Sequence, residues 1–143
     1  MTTGTATTAA EDRELLRSAA VNAGIIAAGY FRTEFRTWTK ENASPVSEAD
    51  LVLDQFLGNT LLGARPDYGW LSEERADNAQ RLTHRRVFIV DPIDGTRGFI
   101  RGEDSWTVTL AVVEDGIPIA GVVYAPARDE MYDAALRHGA RFN

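Results

Sequence analysis

The 143-residue chain, 44% hydrophobic and without an internal repeat, is long enough to bury one core, so a single domain is expected. A formal net charge of -6 and a pI near 4.9 argue against a nucleic-acid polymer or an anionic membrane as partner, since both require a basic face, while admitting a small phosphorylated substrate screened by a divalent cation. The absence of cysteine excludes disulfides, thiolate catalysis and thiolate metal sites.

The opening MTTGTATTAA has neither a basic n-region nor an apolar h-region, and no run approaches the roughly 18 apolar residues of a membrane span. Residues 1–10 read as a disordered tail on a cytoplasmic protein, followed by one domain over 11–143. From Glu11 to about Phe31, Leu15, Leu16, Ala19, Ala23, Ile26, Ala27 and Tyr30 recur at three- and four-residue spacing, which predicts an amphipathic helix. The next stretch, RTEFRTWTKENASP, has no period and reads as a mobile loop carrying Lys40, the single lysine of the chain. Ser47 with Asp50 three residues on fits a capping box, and Leu53, Phe56, Leu57 and Leu61 form the stripe of a second helix that Gly63 and Pro66 end.

Two short apolar runs follow, YGWLSEE stopping at Glu73 and Glu74 and RVFIVD stopping at Asp91, so two strands deliver acids at their ends. Trp106, Val108, Leu110 and Val112 alternate with more polar positions, turn at Asp115-Gly116 and return through Ile117, Ile119 and Val123, a hairpin signature. Pro118 places the start of the return strand at an edge or a bulge. EMYDAALRHGARFN reads as a further short strand pair. The order predicts an α+β fold with two amphipathic helices packed on one face of a mainly antiparallel sheet.

The acids carry the chemistry. Glu73, Asp91 and Asp94 are hard oxygen donors at strand ends and suit Mg²⁺, while the amides of Gly95 and Thr96 at a helix start suit a phosphate. Each element also has an ordinary reading: Asp-Pro-x-Asp-Gly is common turn chemistry, Glu73-Glu74 alone is a solvated loop, Asp50 is a helix cap and Lys40 a surface residue. It is the joint occurrence after two strands that favours a site. Haloacid-dehalogenase-type enzymes also place two aspartates after an apolar strand, but one residue apart; here Pro92 and Ile93 separate them, and the motif lies far from the N-terminus.

WLSEE (70–74) and VDPIDGT (90–96), with SPVSEAD (44–50) upstream and GVVYAP (121–126) downstream, resemble the N-terminal portion of the inositol monophosphatase superfamily of metal-dependent phosphatases. The resemblance implies the N-terminal layer of the inositol monophosphatase and fructose-1,6-bisphosphatase-like sandwich, and it covers nearly the whole chain beyond the tail. It further implies that Glu73, Asp91, Asp94 and the Ile93 carbonyl bind Mg²⁺, and that Asp94, Gly95, Thr96 and Arg97 meet the substrate phosphate. Thr96, hydrogen-bonded to Asp50, would help Glu73 activate the attacking water, and Lys40 would belong to a loop that closes the site. Members are commonly dimeric, cytoplasmic and inhibited by lithium, so a homodimer is a candidate assembly.

The family's C-terminal α/β layer, with its Trp-Asp-x-Ala-Ala-Gly type motif, has no counterpart here, so a truncated phosphatase is expected; YDAALRHG (132–139) imitates the motif and leaves Asp133 a structural residue. The substrate expected is a small phosphorylated metabolite, either inositol monophosphate or 3'-phosphoadenosine 5'-phosphate. Arg97 after DGT, together with GEDSWTV (102–108), resembles the 3'(2'),5'-bisphosphate nucleotidase branch, since a second guanidinium suits a second phosphoryl group. The alternative is a non-catalytic domain that folds or dimerises and binds metal or phosphate weakly. RLTHRR (81–86) is the one basic cluster and reads as a solvated loop, and His84 and His138 lack ligand-like partners.

Overall fold

The computed structural model describes residues 6–77 and 79–143. Helix α1 (Ala9–Tyr30) starts at a reciprocal cap in which Thr8 accepts from the Glu11 amide and the Glu11 carboxylate accepts from the Thr8 amide. The helix thus begins inside the span expected to be tail, because the cap satisfies its first amides; residues 1–5 lie outside the described residues. Its buried face is Leu16, Ala19, Ala20, Ala23 and Ala27, and small side chains let the helix lie close to the sheet.

The stretch expected to be a loop contains a small antiparallel pair, β1 (Thr37–Thr39) with β2 (Pro45–Ser47). Three-residue strands are too short to leave a readable period, and β1 is exposed throughout. Helix α2 (Glu48–Ala64) follows at once, capped by Ser47 and Asp50 in the expected box.

The remaining strands form one six-stranded sheet in chain order: β3 (Gly69–Ser72), β4 (Arg86–Asp94), β5 (Thr107–Glu114), β6 (Ile117–Ala125), β7 (Glu130–Ala135) and β8 (Ala140–Phe142). Only β3 and β4 run parallel, and the other pairs are antiparallel. A short helix α3 (Thr96–Ile100) leaves the end of β4. Helices α1 and α2 share one face of the sheet, α1 over β5 to β7 and α2 over β4, as the α+β reading anticipates.

Strand β4 does not stop at Asp91. Asp91 pairs with Thr109 and Asp94 with Thr107, so a bulge between them absorbs one extra residue and carries the strand on to Asp94. Pro92 has no amide to give a ladder, which is why the irregularity falls there. The second bulge, opposite Val112 and Val113, coincides with Pro118. Asp115 (φ 49°) and Gly116 (φ 81°) make the left-handed turn expected between β5 and β6.

Alternation buries Trp106, Val108, Leu110 and Val112 against the helices. Trp106 meets Phe99 edge-on at 4.8 Å and Phe31 at 5.3 Å, and Phe31 lies 5.6 Å from Phe99. Such ring pairs contribute about 0.5–1.5 kcal/mol each beyond burial. They also fix α3 from below, and with it the Gly95-Thr96 turn.

Two buried aspartates tie the layers together. Asp12 accepts from Arg65 (3.1 Å), Arg86 (3.0 Å) and the Tyr68 hydroxyl (2.7 Å), joining α1 to the end of α2 and the start of β4. Asp133 accepts from Arg17 and from Arg141 (2.9 Å), with Arg13 at 3.8 Å, which joins β7 to α1 and β8. Asp133 therefore has the structural role read from the sequence. Among the described residues no helix is long and apolar enough to cross a membrane.

Candidate active site

The carboxylates come together where β3 and β4, side by side and parallel, end at the same edge. Register pairs Ser72 with Val90, so Glu73 follows β3 level with Asp91 on β4. The Glu73 amide donates to the Val90 carbonyl (3.2 Å), and its own carbonyl accepts from Lys40 Nζ (2.9 Å). The Glu73 backbone is thereby held on both sides while its side chain stays exposed.

Gly95 follows β4 with φ +91°, a left-handed conformation that an L side chain adopts only under strain. This reverses the chain into α3 and brings Thr96 back over the strand end. The Thr96 hydroxyl lies 3.0 Å from Asp50 Oδ1 and 3.1 Å from the Ile93 carbonyl, with one proton to donate between them. Asp50 is fully buried, and its other oxygen accepts from the Ser47 amide (2.7 Å) and hydroxyl (2.5 Å). Burial raises the Asp50 pKa, against the lowering effect of the Ser47 and Thr96 hydrogen bonds and the Lys40 charge.

An open cleft of about 260 Å³ is lined by Lys40, Ser44, Pro45, Glu73, Glu74, Asp91, Ile93, Gly95, Thr96 and Arg97. Asp50 and Asp94 do not line it: Asp50 lies behind Thr96, and Asp94 is exposed at the strand end. Arg97 reaches across toward the loop after β1, 3.4 Å from the Ala43 carbonyl. Lys40 meets the Glu74 carboxylate at 3.2 Å.

Charge is unbalanced here. Asp91 is pushed up to about 7, first by burial and then by the negative charges of Asp94, Glu73, Glu74 and Asp50. Glu74 is also raised, by burial and by Asp50, with Lys40 opposing. The Lys40 ammonium and the Arg97 guanidinium do not offset this many carboxylates. Among the described residues, no three acidic or histidine side chains are already drawn into a ready-made coordination shell. The donor chemistry nonetheless suits a hard divalent cation: several carboxylates and a backbone carbonyl, with neither sulfur nor imidazole.

Of the residues that sequence reasoning assigns to one site, Lys40, Glu73, Asp91, Ile93, Gly95, Thr96 and Arg97 line this cleft, while Asp50 and Asp94 do not. That reasoning misses Glu74 as the partner of Lys40, and it misses Asp54, Ser72 and Arg75, which interact just behind the turn that carries Glu73. The Glu-Glu pair is a visible signal for the first; the second depends on residues 18 and 21 positions apart and leaves none.

The inositol monophosphatase family model matches residues 9–143, and the chain belongs to that family. It is 41% identical to a histidinol-phosphatase of Mycobacterium tuberculosis over 107 residues, covering 75% of this chain and 40% of that protein. It is 40% identical to the 3'(2'),5'-bisphosphate nucleotidase CysQ of Escherichia coli over 98 residues, 68% of this chain and 40% of that protein. Among solved structures, an IMPase/NADP phosphatase complexed with Mg²⁺ and phosphate superposes with a TM-score of 0.84 at 25% identity, over 96% of this chain and 52% of the other. The chain thus spans about half the length of the solved relative, and the matched stretch 40% of each curated one.

Proposed function

We propose that this chain carries the metal- and phosphate-binding half of a Mg²⁺-dependent phosphomonoesterase acting on a small phosphorylated metabolite. The observation that carries the reading is the carboxylate cluster around Asp91, which Lys40 and Arg97 only partly offset, set beside the left-handed Gly95-Thr96 turn in one cleft. The relatives are phosphatases, and the solved relative binding Mg²⁺ and phosphate supports the same pair of ligands here.

Glu73, Asp91, Asp94 and the Ile93 carbonyl would hold the cation, which when bound supplies charge to stabilise the phosphoryl transition state and the leaving alkoxide. Asp94, Gly95, Thr96 and Arg97 would bind the phosphate. The Thr96 hydroxyl is oriented by the buried Asp50, and Glu73, exposed and fixed at its backbone, would accept a proton from the attacking water. Arg97 adds a guanidinium to the cleft, which favours a substrate with a second phosphoryl group.

Phosphate release is the test, with 3'-phosphoadenosine 5'-phosphate, inositol 1-phosphate and histidinol phosphate offered in parallel, with Mg²⁺ and with a chelator. The expected result is chelator-sensitive release, fastest from the bisphosphate nucleotide. Preference for either monophosphate would overturn the role given to Arg97. A folded chain that releases no phosphate from any of them would favour binding without turnover.

A further inference from the structure

Helix α2 presents two buried carboxylates one turn apart, Asp50 and Asp54. The site uses the first, through Thr96. The second faces the other ligand-bearing segment: Asp54 accepts from the Ser72 hydroxyl and from Arg75 Nε (2.5 Å), and its carbonyl lies 3.3 Å from Arg75 Nη2. Ser72 Oγ in turn accepts from the Glu74 amide (3.2 Å). Asp54 therefore holds both ends of the Ser72–Arg75 turn, whose middle is Glu73 and Glu74.

The helix surface is shaped for this contact. A Cβ on Gly58, one turn beyond Asp54, would lie 2.4 Å from Arg75 Nη2, so the guanidinium occupies the space that glycine leaves. The Arg75 guanidinium also lies over the Trp70 ring at 5.0 Å. Asp54 is 5% exposed and, like Ser72, does not line the cleft itself.

We infer that Asp54 is a positioning residue: through Ser72 and Arg75 it sets where the Glu73 turn sits, while Asp50 on the same helix sets where Thr96 sits. Helix α2 thereby fixes the spacing between the two segments that bear the ligands. The inference rests on the reading of Glu73 as a metal ligand. Partners that orient metal ligands are worth about 10–100-fold in metal affinity.

The test uses the full chain and Mn²⁺ as probe. Mn²⁺ affinity is measured by calorimetry for the parent, Asp54→Ala, Ser72→Ala and Glu73→Gln, alongside amide exchange of the metal-free proteins and their melting temperatures. Asp54→Ala and Ser72→Ala are expected to speed exchange at the Glu74 amide and weaken Mn²⁺ by about tenfold, with exchange at residues 94–96 unchanged. A purely structural role would lower the melting temperature and leave Mn²⁺ affinity within twofold at temperatures where each variant is folded, and that result overturns the inference. Glu73→Gln separates the two claims: undiminished Mn²⁺ binding there would show that the metal reading had failed, whatever Asp54 does.

Discussion

Replacing Asp91 with asparagine should stabilise the metal-free chain at neutral and alkaline pH, although it removes a proposed ligand. Asp91 has a folded pKa of about 7 against an ordinary value of 3.8, so the folded state holds its proton more tightly than the unfolded one. Between those two values the native chain binds more protons, and stability falls as the pH rises. Below the window both states are protonated, and above it both are ionised with the full cost retained. The shift corresponds to about 4 kcal/mol at about 1.4 kcal/mol per unit, and because the side chain is partly solvated, screening reduces this to about 2 kcal/mol. Urea unfolding of the parent and Asp91→Asn from pH 4 to 8.5, in chelator, measures the difference. The variants should match at pH 4 and diverge to about 2 kcal/mol by pH 8, which for a domain this size is about 6 °C in melting temperature. Adding Mg²⁺ should stabilise the parent and not the variant. An asparagine variant less stable by the same amount at every pH would refute the account of charge at the strand end.

Thr96→Val removes the hydroxyl between Asp50 and the Ile93 carbonyl; phosphate release should fall by about 10²-fold, as expected for a group acting in proton transfer, with the far-UV spectrum unchanged. Asp133→Ala leaves Arg13, Arg17 and Arg141 without their shared buried acceptor and should cost about 3–5 kcal/mol in urea unfolding. Gly24→Ala puts a Cβ 2.7 Å from the Tyr124 ring and 3.0 Å from Pro126, and should destabilise by about 1–3 kcal/mol despite the better helix propensity of alanine.

What could be read from the sequence was local or periodic. The Ser47–Asp50 cap, the alternation from Trp106 to Val112 and the Asp115-Gly116 turn each state their conformation within a few residues, and all are present. The WLSEE and DPIDGT motifs lie 15 residues or more apart in the chain, and the parallel pairing of β3 with β4 brings their acids level. Other features were hidden for physical reasons. The β1–β2 ladder is too short to show a period, and the extension of β4 past Asp91 depends on a bulge that only its partner strand reveals. The ion pairs of Asp12, Asp54 and Asp133 join residues far apart in sequence, where a charged side chain looks like any other surface residue until the fold buries it.

The central claim is that a divalent cation binds where β3 and β4 end. Crystals of the full chain soaked in Mn²⁺ and measured at the manganese absorption edge test it directly. The account predicts an anomalous peak at about 2.0–2.3 Å from carboxylate oxygens of Glu73 and Asp91, with the Ile93 carbonyl or Asp94 completing the protein ligands. Ordered crystals with no peak in this cleft, or a peak bound only elsewhere on the chain, would contradict it.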